Sequence, residues 1–167
     1  MKVWLVPLLK EYCENEELMM GKIKLQNMGK YAVYEGRTFE SPTQNTKVIE
    51  LVSKNMHDIS FGFREYTMPD WANPKYWEKF YTLEIPINQV QEFYSLRYDA
   101  IYKGERVSIL GFTDNDTSTI YSNDNEVITK LGLKTTSDKF IWQKDNIPND
   151  ELEFIPVKTD LLARYKN

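Results

Sequence analysis

The chain has 167 residues, 41% of them hydrophobic and 14% aromatic; this is the composition of a folded globule, and a domain of this size buries roughly 68–70% of the surface its unfolded chain exposes. Lys and Arg number 21 against 25 Asp and Glu, a formal charge of -4, which excludes the clustered positive charge that grips a phosphate backbone, so nucleic acid is not the expected partner. The one cysteine, Cys13, excludes an intramolecular disulfide and a thiolate metal cluster.

In chain order, the apolar run Val3–Leu9 is interrupted by Pro7 and followed at once by Lys10 and Glu11. It is too short to span a membrane and no small-residue cleavage site follows it, so a soluble cytoplasmic protein is expected. The stretch "VWLVPLLKEYCENEELMM" opens as a short buried strand or helix, and "KYAVYEG" (30–36) alternates like a strand that ends in a turn. Between Asn45 and Asn55, Val48, Leu51 and Val52 fall at helical spacing, and Thr46 is placed to cap that helix. "DISFGFREYT" reads as a strand with Ile59, Phe61, Phe63 and Glu65 on one face and Gly62 at a bulge or close approach. The two prolines of "MPDWANPKYWEKF" mark a loop, and the candidate subdomain boundary lies near 68–78 within one domain spanning 1–167.

Past that loop the pattern is more regular. "FYTLEIPI" is a strand up to Pro86, and Asn88 with Gln91 resembles a capping box for one helical turn through Phe93. The run "YSLRYDAIYKGERVSILGF" can be read as a helix stripe or as a hairpin. The hairpin is preferred, because "VSILGF" is β-branched and apolar and lies just across "KGE". Leu96, Tyr98, Ala100 and Tyr102 then face the core, and Arg97 and Asp99 are the exposed charges. "STIYS" follows as a strand, "NEVITKLGL" as a helical turn from Asn125 with Gly132 near its end, and "DKFIWQK" as a strand. The chain closes with a helical turn after Pro148, a break at Pro156 and a helix from Thr159. A weak internal echo links "KFYTLEIPINQVQEF" (79–93) to "KFIWQKDNIPNDELEF" (139–154): both run from Lys-Phe through a strand to "IP", polar residues, an acid and Phe, as if two strand-then-turn units used one packing solution. Chance resemblance is an equally good account, because the gap between the Phe and the "IP" differs by two residues.

Catalytic hardware is sparse. His57 is the one histidine, and "KNMHDISF" around it carries no nucleophile turn. One histidine and one cysteine do not make a zinc site. Asp114, Asp116 and Ser118 occupy the first, third and fifth places of a calcium loop, but Thr119 stands where glycine is needed and Asn125 where a bidentate glutamate belongs. No spacing singles out one carboxylate pair, and the scattered glycines form no phosphate cradle. No metal, cofactor or catalytic residue is assigned, and a non-enzymatic role is expected.

The stretches "IPINQVQEFYSLRYDAIYKGERVSIL", "NEVITKLGLKTTSDKFIWQK" and "IPNDELEFI", which together cover about Phe80 to Leu162, resemble bacterial immunity proteins of contact-dependent growth inhibition and related polymorphic toxin systems. The resemblance implies a cytoplasmic α+β protein that binds a toxin domain and blocks its active site or substrate groove. The acidic runs "EYCENEE" (11–17) and "DNDTSTIYSNDNE" (114–126) agree independently, because a nuclease groove must be basic to hold phosphates. Solvated loops are the plainer account of both runs.

The expected fold is therefore α+β, a mainly antiparallel sheet with a few short helices on one face or at the ends. Asp114, Asp116, Asp124 and Glu126 are expected to form one acidic contact patch and Glu14, Glu16 and Glu17 a weaker second, and Arg97 and Asp99 are the expected exposed charges of their strand if its tyrosines face inward. Two other readings remain open: a small hydrolase working through a carboxylate and tyrosine cleft, and an accessory domain that adds a peptide to a sheet edge.

Overall fold

The computed structural model describes residues 25–44, 47–69, 78–113, 115–136 and 139–165. The fold is α+β, dominated by antiparallel strands with a few short helices. Its residues group into two compact units, one built from Gly29–Ser95 with 159–165 and the other from Leu96–Lys158 with 25–28. The chain passes from one to the other between Ser95 and Leu96, inside a strand; most of the loop expected to mark a boundary, 70–77, lies outside the described residues.

In the first unit the strands are β1 (Gly29–Tyr34), β2 (Arg37–Glu40), β3 (Val48–Ser53), β4 (Arg64–Glu65) and β5 (Tyr81–Pro86), in the order β4-β5-β3-β2-β1. The helix expected between Asn45 and Asn55 is a strand instead. Val48, Leu51 and Val52 do lie at helical spacing, but Ile49, Leu51 and Ser53 also alternate, and that alternation is what becomes buried when β3 pairs along its length with β5. The strand expected through "DISFGF" is likewise corrected. Met56–Phe61 is a 3-10 helix, begun by Asn55, whose side chain accepts from the His57 N–H, and ended at Gly62, whose φ of 94° suits only glycine well. Phe63 alone of the expected stripe is buried; it packs on Phe39 with ring centroids 5.1 Å apart. Ala32, Ile49, Leu51, Phe63 and Phe93 form the heart of this unit's core, each large side chain contributing about 1.5–3 kcal/mol by burial.

After β5 a 3-10 turn, Ile87–Gln89, precedes β6 (Glu92–Tyr102). The capping box expected at Asn88 and Gln91 is absent: the Gln91 side chain accepts from the Gly36 N–H at 2.8 Å, and Phe93 lies in the strand.

The second unit holds β6 from Leu96 onward, β7 (Glu105–Phe112), β8 (Thr117–Ser122), α1 (Asn125–Leu131), β9 (Lys134–Thr136), β10 (Lys139–Pro148), a 3-10 turn Asn149–Glu151, and β11 (Glu153–Asp160) through Lys158. Strand order is β6-β7-β8-β10-β9, with β11 paired to β6. The expected hairpin is present, with Tyr102 opposite Glu105 and both turn residues at positive φ, Lys103 at 51° and Gly104 at 81°. That combination is the type I′ turn, whose twist matches the strands it joins. Leu96, Tyr98, Ala100 and Tyr102 are buried as expected. Tyr98 stands edge-on to Phe112 and Phe154, and its hydroxyl donates to the Gln26 carbonyl at 3.0 Å.

Two expectations for the last stretch are corrected. β11 runs through Pro156, and α2 (Leu162–Tyr165), in the first unit, starts after Asp160, whose carboxylate accepts from the Leu162 N–H at 2.8 Å. A proline inside a strand forfeits one ladder donor without ending the strand.

Candidate functional site

Of the expected contact residues, Glu14, Glu16, Glu17 and Asp114 lie outside the described residues. The others do not form one patch. Asp116 precedes β8 and Asp124 follows it, so the rise of about 3.3 Å per strand residue sets them at opposite ends of that strand.

At the far end, Asp124 is the N-cap of α1. Its backbone N–H donates to Ser122 Oγ at 3.1 Å, and its carboxylate accepts from the N–H groups of Glu126 and Val127 at 2.8 and 3.3 Å. Glu126 is exposed in the first turn, where the helix dipole favours a carboxylate. Both acids therefore have local structural roles, and apolar residues of α1 (Val127, Ile128 and Leu131) are buried beneath them.

The near end is chemically different. Asp116 is exposed, at φ 54° in the turn closed by the Thr113 N–H donating to the Thr117 carbonyl at 2.9 Å. Its own carbonyl accepts from the Asn149 N–H at 3.0 Å, and Ser118 Oγ donates to the Asn149 side chain, a buried contact. These two bonds fasten the 3-10 turn after Pro148 beside Asp116, so two further exposed acids, Asp150 and Glu151, follow within two residues of the Asn149 that bonds it. Among the described residues none of the three carboxylates is in an ion pair. Asp150 and Glu151 escaped the sequence reading because they lie far from Asp116 along the chain. The available signal was the "IPND" turn, whose first N–H must find an acceptor.

The first unit has the same junction without the acids. Ile87 N–H donates to the Lys47 carbonyl at 3.2 Å, so the positions matching Asp116, Asp150 and Glu151 are Lys47, Asn88 and Gln89. The local fold evidently does not require acids there.

Arg97 is half exposed, as expected, but Asp99 is not: it is only 6% exposed. Arg97 donates to it at 2.6 Å, Arg106 at 2.8 and 3.1 Å, and Ser108 at 3.0 Å. The hairpin register sets Ser108 directly opposite Asp99, and Arg106 comes from the same strand. Burial alone would raise the Asp99 pKa; the hydrogen bonds from Arg106 and Ser108 and the charge of Arg97 outweigh it and hold the carboxyl below its ordinary range. The group is neutralised within the hairpin and offers little to a partner.

The features a hydrolase would need are also placed. His57 is exposed on the first unit's 3-10 helix. A groove of about 340 Å³ between Glu65–Met68 and Glu78–Phe80 carries two carboxylates and the stacked rings of Tyr66 and Phe80. Each carboxylate is held by a lysine, Glu65 by Lys79 and Glu78 by Lys54, both at 3.0 Å, and the bond and charge of Glu65 hold Lys79 above its ordinary pKa. Among the described residues there is no group of three or more His, Cys, Asp or Glu able to hold a metal ion, and no helix long and apolar enough to cross a membrane.

Comparison with known proteins finds no match among curated proteins and none among solved structures. A family model covers nearly all of the two units just described: the chain belongs to the family described as "Uncharacterised conserved protein UCP033725", whose model matches residues 26–164.

Proposed function

We propose that this protein is a non-catalytic immunity protein, which binds a bacterial toxin domain and occludes its active site or substrate groove. The observation that carries the reading is the cluster Asp116, Asp150 and Glu151: three exposed carboxylates, tied together by the Asn149–Asp116 backbone bond and lacking ion-pair partners among the described residues. Their counterparts in the first unit are Lys47, Asn88 and Gln89, so the charge is not imposed by folding. A toxin that cleaves nucleic acid needs a basic groove, and unneutralised carboxylates on a fixed junction are the matching surface.

The test uses the purified chain and the protein encoded by the adjacent reading frame. A 1:1 complex on gel filtration is expected, with an association rate that falls as salt rises because long-range charge acts on encounter. The triple variant Asp116→Asn, Asp150→Asn, Glu151→Gln should slow association about tenfold and change dissociation little. Failure of the two proteins to comigrate, or unchanged association in the triple variant, removes the reading. Turnover of a small substrate that is lost on replacing Glu65 or Glu78 would favour the hydrolase instead.

A further inference from the structure

The internal echo between residues 79–93 and 139–154 extends far beyond those segments. We infer that the chain is a tandem duplication of one module, whose first copy runs from β1 into the start of β6 and whose second runs from the rest of β6 into β11. This goes beyond the proposed function and does not depend on it.

Among the described residues each unit presents the same elements in the same order: a hairpin, a third strand, a short helix, a short strand, a strand ending in proline, a three-residue 3-10 turn and a closing strand. Strand order within each is also the same, β4-β5-β3-β2-β1 against β9-β10-β8-β7-β6. A shared order of strands is a weak argument, since few arrangements are open to short strands joined by short loops. Register is a much stronger one.

In the first hairpin Ala32 faces Phe39 and Tyr34 faces Arg37; in the second Ala100 faces Val107 and Tyr102 faces Glu105. Both alanines are 0% exposed. Both turns hold two positive-φ residues, the second a glycine, Gly36 or Gly104. The second and third strands meet at Glu40 and Val52 in one unit and at Ser108 and Tyr121 in the other: Glu40 and Ser108 stand at the same place after the turn glycine, and Val52 and Tyr121 each just before the serine that ends the third strand. The third strand then meets the proline of the long strand at its first residue, Val48 with Pro86 and Thr117 with Pro148.

Details outside the ladders agree as well. The N–H following each proline reaches back to the carbonyl just before the third strand, and the residue after each 3-10 turn, Val90 or Leu152, is buried and bonds the turn's first carbonyl at 3.2 Å. Each short helix is announced by a serine ending the third strand. Ser53 Oγ accepts from the Asn55 N–H as Ser122 Oγ accepts from the Asp124 N–H, and both capping side chains then accept from the helix. Both helices stop at a left-handed glycine, Gly62 or Gly132, followed by a buried apolar residue, Phe63 or Leu133. In both units the residue after the turn glycine is tied to the helix, with the charges exchanged but at different helix positions: Arg37 to Asp58, the third residue after its cap, and Glu105 to Lys130, the sixth after its own. The second copy also carries a register shift in β10 between Lys144 and Ile147, which supplies one of the two extra residues between its Phe and its "IP".

A graft in the full-length chain tests this. The segment 55–63 is replaced by the sequence of 124–133, once with Arg37 retained and once with Arg37→Glu. If the positions are equivalent, both variants keep the native far-UV and amide spectra, and Arg37→Glu raises the thermal midpoint of the graft by about 2 °C or more, because the retained Arg37 meets the grafted lysine as a like charge and the substitution removes that repulsion. A graft that folds but gains nothing from Arg37→Glu overturns the equivalence. Should neither graft fold, an alignment of the two halves across members of the family decides. Retention of Ala, Tyr and Gly at 32, 34 and 36 together with 100, 102 and 104 supports duplication; independent variation of the two sets overturns it.

Discussion

The short helices of the two units start and stop alike yet bury opposite things. In the second unit α1 turns Val127, Ile128 and Leu131 inward and leaves Lys130 outside to meet Glu105 at 2.6 Å. In the first the 3-10 helix buries Asp58, at 1% exposure, while Met56, Ile59 and Phe61 stand 63, 52 and 54% exposed. The span from Asn55 to Gly62 is one residue shorter than that from Asp124 to Gly132. A shorter span between fixed ends favours the tighter 3-10 winding, in which side chains repeat every three residues and the inward face falls on a different set. Caps decide where such a segment lies, and winding decides what it buries. The carboxylate so enclosed is tolerable because Arg37 donates to both its oxygens at 2.7 and 2.8 Å and Ser53 Oγ donates at 2.6 Å. Arg37 in turn lies over the rings of Phe39 and Phe61.

This contrast gives the largest expected effect. Asp58→Ala should lose about 3–5 kcal/mol in denaturant unfolding, because it leaves Arg37 and Ser53 without their acceptor, whereas Glu105→Gln should leave the midpoint almost unmoved and only release Lys130 from the elevated pKa that Glu105 imposes on it. Equal losses would break the comparison. A second contrast lies in the hairpins, where Asp99 of the second occupies the position held by Tyr31 in the first, stacked on Tyr94 at 5.8 Å. Asp99→Asn should lose about 1–3 kcal/mol at neutral pH. Its folded pKa lies below the unfolded value of about 3.9, so the stability it contributes is full above that value and disappears as pH falls through the folded one. Below about pH 4 the parent chain should therefore lose stability more steeply than Asp99→Asn, while Tyr31→Leu should leave that acid limb unchanged. The smallest effect sharpens the likeness: Asn55→Ala and Asp124→Ala should each lose about 1 kcal/mol, since each removes one capping acceptor.

The hairpin and α1 were legible because local chemistry and tertiary need agree there: alternation with "KGE" for one, Asp124 and Gly132 bracketing an apolar run for the other. β3 and the 3-10 helix were not: "VIELVS" satisfies two periodicities and its pairing with β5 decides between them, while "MHDISF" is wound as a helix by the Asn55 and Gly62 caps at its ends. The burial of Asp99 depends on Arg106 and Ser108, which meet it only once the hairpin register is set. The acidic cluster was half visible for a similar reason: Asp116 stood in an obvious acidic run, but Asp150 and Glu151 reach it through one backbone bond from Asn149 that no local pattern announces.

Pro156 has a consequence for how the chain behaves in a crowded solution. It lies exposed within β11, and it carries no amide hydrogen. The strand therefore offers one donor fewer than an uninterrupted strand of its length, and proline within a strand is one of the devices that make a sheet edge a poor template for fibrous self-association.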